Sequence, residues 1–219
     1  MAKKVIKPCT IYLVRHGETD NNKQGIIQGA KVDAPINPTG IKQAQAAAQQ
    51  LKTVPFTAAF SSDALRANQT AKIISLEHQL AVTAHYVLRE RGFGKLEGQP
   101  ETVFHTKLKK LLVEFEALSA DEKFKFQFPL GIENLGEAVT RLITFLREIS
   151  LAYSGQTVLV VSHGALIRNF LIRIGFADFQ QLRWTPGGQP PIGNLGFCVI
   201  ESDGVDFKVT NTFGVNVNR

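Results

Sequence analysis

The sequence predicts an α/β fold: a three-layer α/β/α sandwich in which a mostly parallel central sheet carries helices on both faces. Short apolar runs rich in β-branched residues alternate with helical patterns along the chain, the order that βαβ units generate. One run, Thr157 to Ser162 (TVLVVS), is an unbroken apolar stretch of the kind a parallel strand needs when it is buried on both faces. With 219 residues, 44% hydrophobic and 20% charged, the chain can build one substantial core.

The elements follow in order. Thr10 to Val14 (TIYLV) is a short strand that stops at a glycine-containing turn. Gly25 to Asn37 reads as loop, and Asn37-Pro38 supplies an N-cap with proline at the first helical position, opening an Ala/Gln-rich helix through about Leu51. Thr57 to Ser61 is a second strand, followed by a helix from about Ala64 to Leu76. Val82 to Val87 is a third extended run, and the glycine-punctuated segment Arg89 to Gly98 must be loop. Phe104, Leu108, Leu111, Leu112, Phe115 and Leu118 fall at helical spacing and define one apolar face. Asn134 with Glu137 makes a capping-box pattern for a helix whose stripe is Leu135, Val139, Leu142, Leu146 and Ile149. After Thr157 to Ser162 comes His163-Gly164 and a helix through about Ile174. Thr185 to Gly193 is Pro/Gly-rich loop, and Gly196 to Glu201 with Phe207 to Thr212 flank Ser202-Asp203-Gly204 as a hairpin does.

Composition narrows the function classes. Twenty-five Lys+Arg against 19 Asp+Glu gives a net charge of +6, which favours anionic ligands in a general way. The positives are scattered, with no basic run interleaved with aromatics, so nucleic acid is not expected as a partner. Lys107, Lys109 and Lys110 share their helix with Glu114 and Glu116 and read as a solvated face. Met1 to Pro8 carries three lysines but only a short apolar run follows it, too short for a secretory or membrane segment, which places the protein in the cytoplasm with no membrane partner. Cys9 and Cys198 lack metal-ligand or CxxC spacing and read as free structural thiols. Oligomeric state has no signature here.

In an open α/β sheet, ligands collect outside the carboxyl ends of the strands. Two such ends carry a histidine: Arg15-His16-Gly17 after the first strand and His163-Gly164 after the strongest. The arginine fork suits phosphate oxygens, and the helix opening at Gly164 offers N–H groups and a dipole to an anion. Both ends ask for a tetrahedral, negatively charged guest.

Leu13 to Thr19 (LVRHGET), Ser61 to Ala71 (SSDALRANQTA), Leu88 to Gly98 (LRERGFGKLEG) and Val161 to Arg168 (VSHGALIR) together resemble the histidine phosphatase superfamily, in the family's order and over nearly the whole chain. The resemblance implies a phosphoglycerate mutase-like fold, one domain over residues 1–219 with a small helical cap inserted at about 99–132. It implies His16 as nucleophile, Arg15 and Arg66 as a phosphate clamp, and Asn22, His163 and Gly164 as further phosphate contacts. His163 would act in a cationic or donor form, and positive charge near His16 would keep its attacking nitrogen unprotonated. Glu90 would protonate the leaving oxygen and then activate water. The implied activity is hydrolysis of a small-molecule phosphomonoester with no metal or other cofactor. Phe93-Gly94-Lys95-Leu96-Glu97-Gly98 is similar to the phosphatase branches, and the mutase version of that segment is absent. A phosphoglycerate mutase and a non-catalytic phosphate-ligand binder are the alternatives. The phenylalanines of the cap, Phe104, Phe115, Phe124, Phe126 and Phe128, are expected in core packing. Gly131 to Asn134 departs from the family's glycine, glutamate and serine run, on the substrate-facing side.

Overall fold

The computed structural model describes residues 7–185 and 188–218. Most of the lysine-bearing start, and part of the Pro/Gly-rich loop that begins at Thr185, lie outside the described residues. A six-stranded sheet forms the middle layer in the order β3 (Val82–His85), β2 (Phe56–Ser62), β4 (Thr157–Ser162), β1 (Cys9–Arg15), β5 (Ile192–Ser202) and β6 (Phe207–Val215). Strands β3, β2, β4 and β1 run parallel, while β5 pairs antiparallel with both β1 and β6, so the sheet is mixed with a parallel half.

Alternation along the central strands creates two cores. Ile11 and Leu13 of β1, with Val158 and Val160 of β4, face the larger one, which α7 (Leu135–Ala152) and α8 (Gly164–Arg173) cover. Val14, Leu159 and Val161 face the other way, against α2 (Pro38–Leu51) and α3 (Leu65–Leu76). Strand β4 is therefore apolar on both sides because both sides are dry. The stripe Leu135, Val139, Leu142, Leu146 and Ile149 is buried along α7. Asn37 caps α2 through Gly40 N–H, with Pro38 at the first position. At α7 only the Asn134 half of the box forms among the described residues: its side chain accepts from Gly136 and Glu137 N–H.

Two expectations need correction. The third extended run ends at His85, and Tyr86–Leu88 tightens into a 3-10 turn. The apolar face from Phe104 to Leu118 is not one helix but two, α4 (Glu101–Lys107) and α5 (Lys109–Ala117), which meet at buried Leu108; α6 (Ala120–Lys125) follows. Among the described residues no helix is long and apolar enough to cross a membrane. Cys9 and Cys198 are free and buried, and burial pushes their thiols up to about 11 and about 12.

Candidate active site

Strands β1 and β4 are neighbours with Arg15 opposite Ser162, so the residues that follow them emerge side by side. His16 N–H donates to Ser162 O at 3.0 Å, and the His16 and His163 rings lie edge to face with centroids 5.1 Å apart. Both rings are buried. The turn after His16 presses on α2: a Cβ on Gly17 would stand 2.8 Å from the Gly40 carbonyl oxygen, so glycine is required for the backbone approach. Gly17 N–H donates to Thr70 Oγ1 at 3.0 Å, and that hydroxyl donates to Arg66 O at 2.7 Å. The strand end carrying His16 is thereby tied to the helix carrying Arg66.

Each guanidinium is held by carbonyl oxygens. Arg15 Nη1 donates to Ile192 O at 2.6 Å, and Arg66 donates from Nη1 to Val32 O and from Nη2 to Gly29 O, both at 2.9 Å. Arg15 Nε, Arg66 Nε and both ring nitrogens of His163 are buried without a partner. Buried polar atoms without partners are rare, and a cluster of them marks a site for a polar guest. Gly164 leaves room for the arginine, since a Cβ there would meet Arg15 Nε at 3.1 Å. Asn22 lies in α1 (Asp20–Lys23), where its Oδ1 accepts from Thr19 N–H and Oγ1, leaving Nδ2 as the free end of the amide.

Burial dominates the electrostatics. It holds the His16 ring well below the usual imidazole range, with Arg66 and then Arg15 adding to the effect and the bond to Gly17 O opposing it. The expectation named only positive charge, which comes second. His163 is lowered in the same way, by burial first and then by Arg66, His16, Arg141 and Arg15, so the free protein holds it neutral and not cationic. Arg15 is pushed down to about 10 chiefly by burial and stays charged at neutral pH.

Glu90 follows the 3-10 turn. Its Oε1 accepts from Arg91 N–H at 2.7 Å and Leu166 N–H at 2.9 Å, and its Oε2 from Ala165 N–H at 2.9 Å. The start of α8 was expected to offer its N–H groups to a guest anion; at Ala165 and Leu166 the chain's own carboxylate takes them. Arg141 of α7 holds the same segment from behind, donating to Val87 O at 2.5 Å, Arg89 O at 2.6 Å and Glu90 O at 3.1 Å. Glu133 pairs with Arg141 at 2.9 Å and accepts from Gly92 N–H at 2.8 Å. The stretch that departs from the family pattern thus supplies this brace through Glu133 and the α7 cap through Asn134.

Arg15, His16, Asn22, Arg66, Glu90 and Gly164 all line one cleft of about 440 Å³, with His163 buried next to His16. Phe104, Phe115 and Phe128 also line it, together with Phe93. The expectation of core packing therefore holds for Phe115, Phe124, Phe126 and Phe128, of which Phe115 and Phe128 also back the cleft, while Phe104 is only half-buried. Sequence reasoning missed several supports. Thr70 and Glu97 sit inside quoted motifs, and Glu97 accepts from Lys31 N–H at 2.7 Å and Phe93 N–H at 2.8 Å, fixing the loop that holds Arg66. Arg141 and Asn194, whose Nδ2 donates to His16 O at 3.0 Å, carry no local signal.

The family model of the histidine phosphatase superfamily (branch 1) matches residues 11–212. The chain belongs to that superfamily. It is 47% identical to a zebrafish (Danio rerio) protein named Probable fructose-2,6-bisphosphatase TIGAR A, with 94% of each chain covered. It is 33% identical to the Uncharacterized phosphatase PhoE of Bacillus subtilis, covering 77% of this chain and 78% of that one. Of the mouse fructose-2,6-bisphosphatase TIGAR, at 38% identity, it spans only about half the length, 53%. Among solved structures, Bacillus stearothermophilus YhfR superposes with a TM-score of 0.77 at 25% identity, over 92% of this chain and 95% of that one. The chain is a phosphatase of that superfamily.

Proposed function

We propose that the protein hydrolyses phosphomonoesters through a phosphohistidine on His16, with Glu90 as acid and base. One observation carries the reading: His16 Nδ1 lies 2.7 Å from Gly17 O. A carbonyl only accepts, so Nδ1 carries the proton and Nε2 keeps its lone pair, as a nucleophile must. Nε2 bonds to phosphorus as the ester P–O bond breaks, and Glu90 gives its proton to the leaving alkoxide, which departs as the alcohol. Oε2 suits that proton, since it accepts one backbone N–H where Oε1 accepts two. Water then attacks phosphorus, Glu90 takes the proton back, the Nε2–P bond breaks and inorganic phosphate leaves.

Arg15 and Arg66 hold the phosphoryl oxygens, with His163, the Asn22 amide and the Gly164 N–H as further donors. Holding charge that spreads over those oxygens is most of phosphoryl-transfer catalysis. His163 serves as a neutral donor until the dianion arrives. Residues 1–219 work as one domain in this reading, with 99–132 as the cap, since Phe104 and Phe115 line the same cleft as His16. A cytoplasmic enzyme acting without a metal or organic cofactor completes it.

The test is a quench in alkaline denaturant during turnover of a ³²P-labelled ester. Label is expected on the wild-type protein, released by acid and absent from His16→Ala. Phosphate release by His16→Ala at the wild-type rate would end the assignment.

A further inference from the structure

The relatives' names point to sugar bisphosphates, but the side chains beyond the phosphate end describe a different guest. Phe93, Phe104 and Phe128 form a continuous wall, with ring centroids 5.9 Å apart for Phe93 and Phe104 and 6.4 Å for Phe104 and Phe128. Phe115 extends it, 5.3 Å from Phe128. At the mouth stands Trp184, the only tryptophan of the chain, 55% exposed although it lines the cleft. An aromatic left open to water at the rim of an aromatic chamber is a contact surface for an apolar ligand.

Two cations of this end, Arg168 and Arg91, are largely engaged by the protein. Arg168 spends its guanidinium on Leu182 O, Phe179 O and Asn169 Oδ1 and lies over the Phe179 ring. Arg91 donates from Nε to Glu133 O and lies over Phe93 and Phe128. Its Nη2 is left without a partner and offers its N–H to one acceptor oxygen on the guest. Glu101 and Glu116 line the same cleft and oppose a second full anion there, while Arg183, which donates to Gln180 Oε1, also lines it. A hydroxyl-covered sugar would lose its water against phenylalanine with few partners in exchange.

We infer that the preferred substrate is the phosphomonoester of a bulky, aromatic alcohol without a second anionic group, its ring seated against half-buried Phe93 and Phe104, with buried Phe128 behind them. The inference rests on the phosphohistidine reading, because the ring lies beyond the phosphoryl group that His16 attacks. A pocket of about 440 Å³ holds phosphate and a ring system together.

The test pairs two primary alkyl esters of similar leaving-group demand, 2-phenylethyl phosphate and glycerol 3-phosphate, with fructose 2,6-bisphosphate as the third arm. The kcat/KM for the first should exceed the others by about tenfold or more. Phe104→Ala, a change at a half-buried position, should erase most of that advantage by lowering kcat/KM several times more for 2-phenylethyl phosphate than for glycerol 3-phosphate. Equal kcat/KM on the first two esters, or preference for the bisphosphate, would overturn the inference. Trp184 fluorescence, titrated with 2-phenylethylphosphonate and with methylphosphonate, reads the chamber without turnover. Tighter binding of the aromatic phosphonate supports the inference even if no phosphoenzyme forms and the phosphohistidine reading falls; equal binding sinks it even if the chemistry stands.

Discussion

At the sheet end of the cleft, functional side chains are fixed by hydrogen bonds to backbone atoms: Arg15 on Ile192 O, Arg66 on Gly29 O and Val32 O, His16 on Gly17 O, and Glu90 on three N–H groups. At the helical end, Phe104, Phe115 and Phe128 are held by one another's rings. Hydrogen bonds to backbone are directional and tolerate little displacement, as a site must that acts on developing charge. Ring packing conserves volume more than angle, so such a wall changes its guest with modest cost to the fold. One end is built for chemistry and the other for choice of substrate.

The largest test of that division is His16→Ala, for which kcat should fall by about 10⁴ or more while the cleft keeps its shape. Affinity for 2-phenylethylphosphonate, followed by Trp184 fluorescence, should fall far less than turnover. Equal collapse of both would mean the ends are not separable. Glu90→Gln sharpens the division within the sheet end. It should cost an alkyl phosphate about 10²–10⁴ in kcat and p-nitrophenyl phosphate much less, because nitrophenolate leaves without a proton. Equal losses on both esters would remove Glu90 as the acid.

A smaller effect is expected from the brace behind Glu90. Glu133→Gln weakens the pair with Arg141, whose guanidinium grips the carbonyls of Val87, Arg89 and Glu90. A displaced acid should slow alkyl phosphates about tenfold and spare p-nitrophenyl phosphate. A loss of purely structural origin would lower both rates together.

The contrast also explains what could be read in advance. Strand β4 was legible to its ends because a parallel strand dry on both faces leaves an unbroken apolar run. His16 and His163 were legible as a pair because two strand ends carry them, whereas Arg66 and Glu90 were legible only through the motifs that resemble the family, and His16, Arg66 and Glu90 line one cleft. Arg141 was not, since its partners are carbonyl oxygens more than fifty residues away, and carbonyls leave no mark in a sequence. The break at Leu108 was equally hidden: the apolar spacing runs through it, and tertiary contact of a buried leucine decides where two short helices part. The second role of the aromatic wall was hidden for the same reason, because helical spacing tells which face is apolar but not whether a cleft also opens against it.

The smallest expected effect concerns stability and not rate. His16 and His163 are buried and held neutral well below the ordinary imidazole range, whereas in the unfolded chain each titrates near about 6.5. Above that pH neither state binds the protons, and the full native stability is present. Below it the unfolded chain takes up protons that the folded protein refuses, so stability falls as pH falls, by at most about 1.4 kcal/mol per pH unit for each ring. Urea midpoints measured between pH 7.5 and 5.5 should therefore drop toward acid in the wild type. The double variant His16→Gln, His163→Gln should show a flatter dependence whatever its absolute stability, and Phe104→Ala should keep the wild-type slope. A double variant as steep as the wild type would mean that the imidazoles take up protons in the fold as readily as in the unfolded chain, and one steeper than the wild type would mean that they are already protonated in the fold, so that the sheet end meets its anion with two further positive charges.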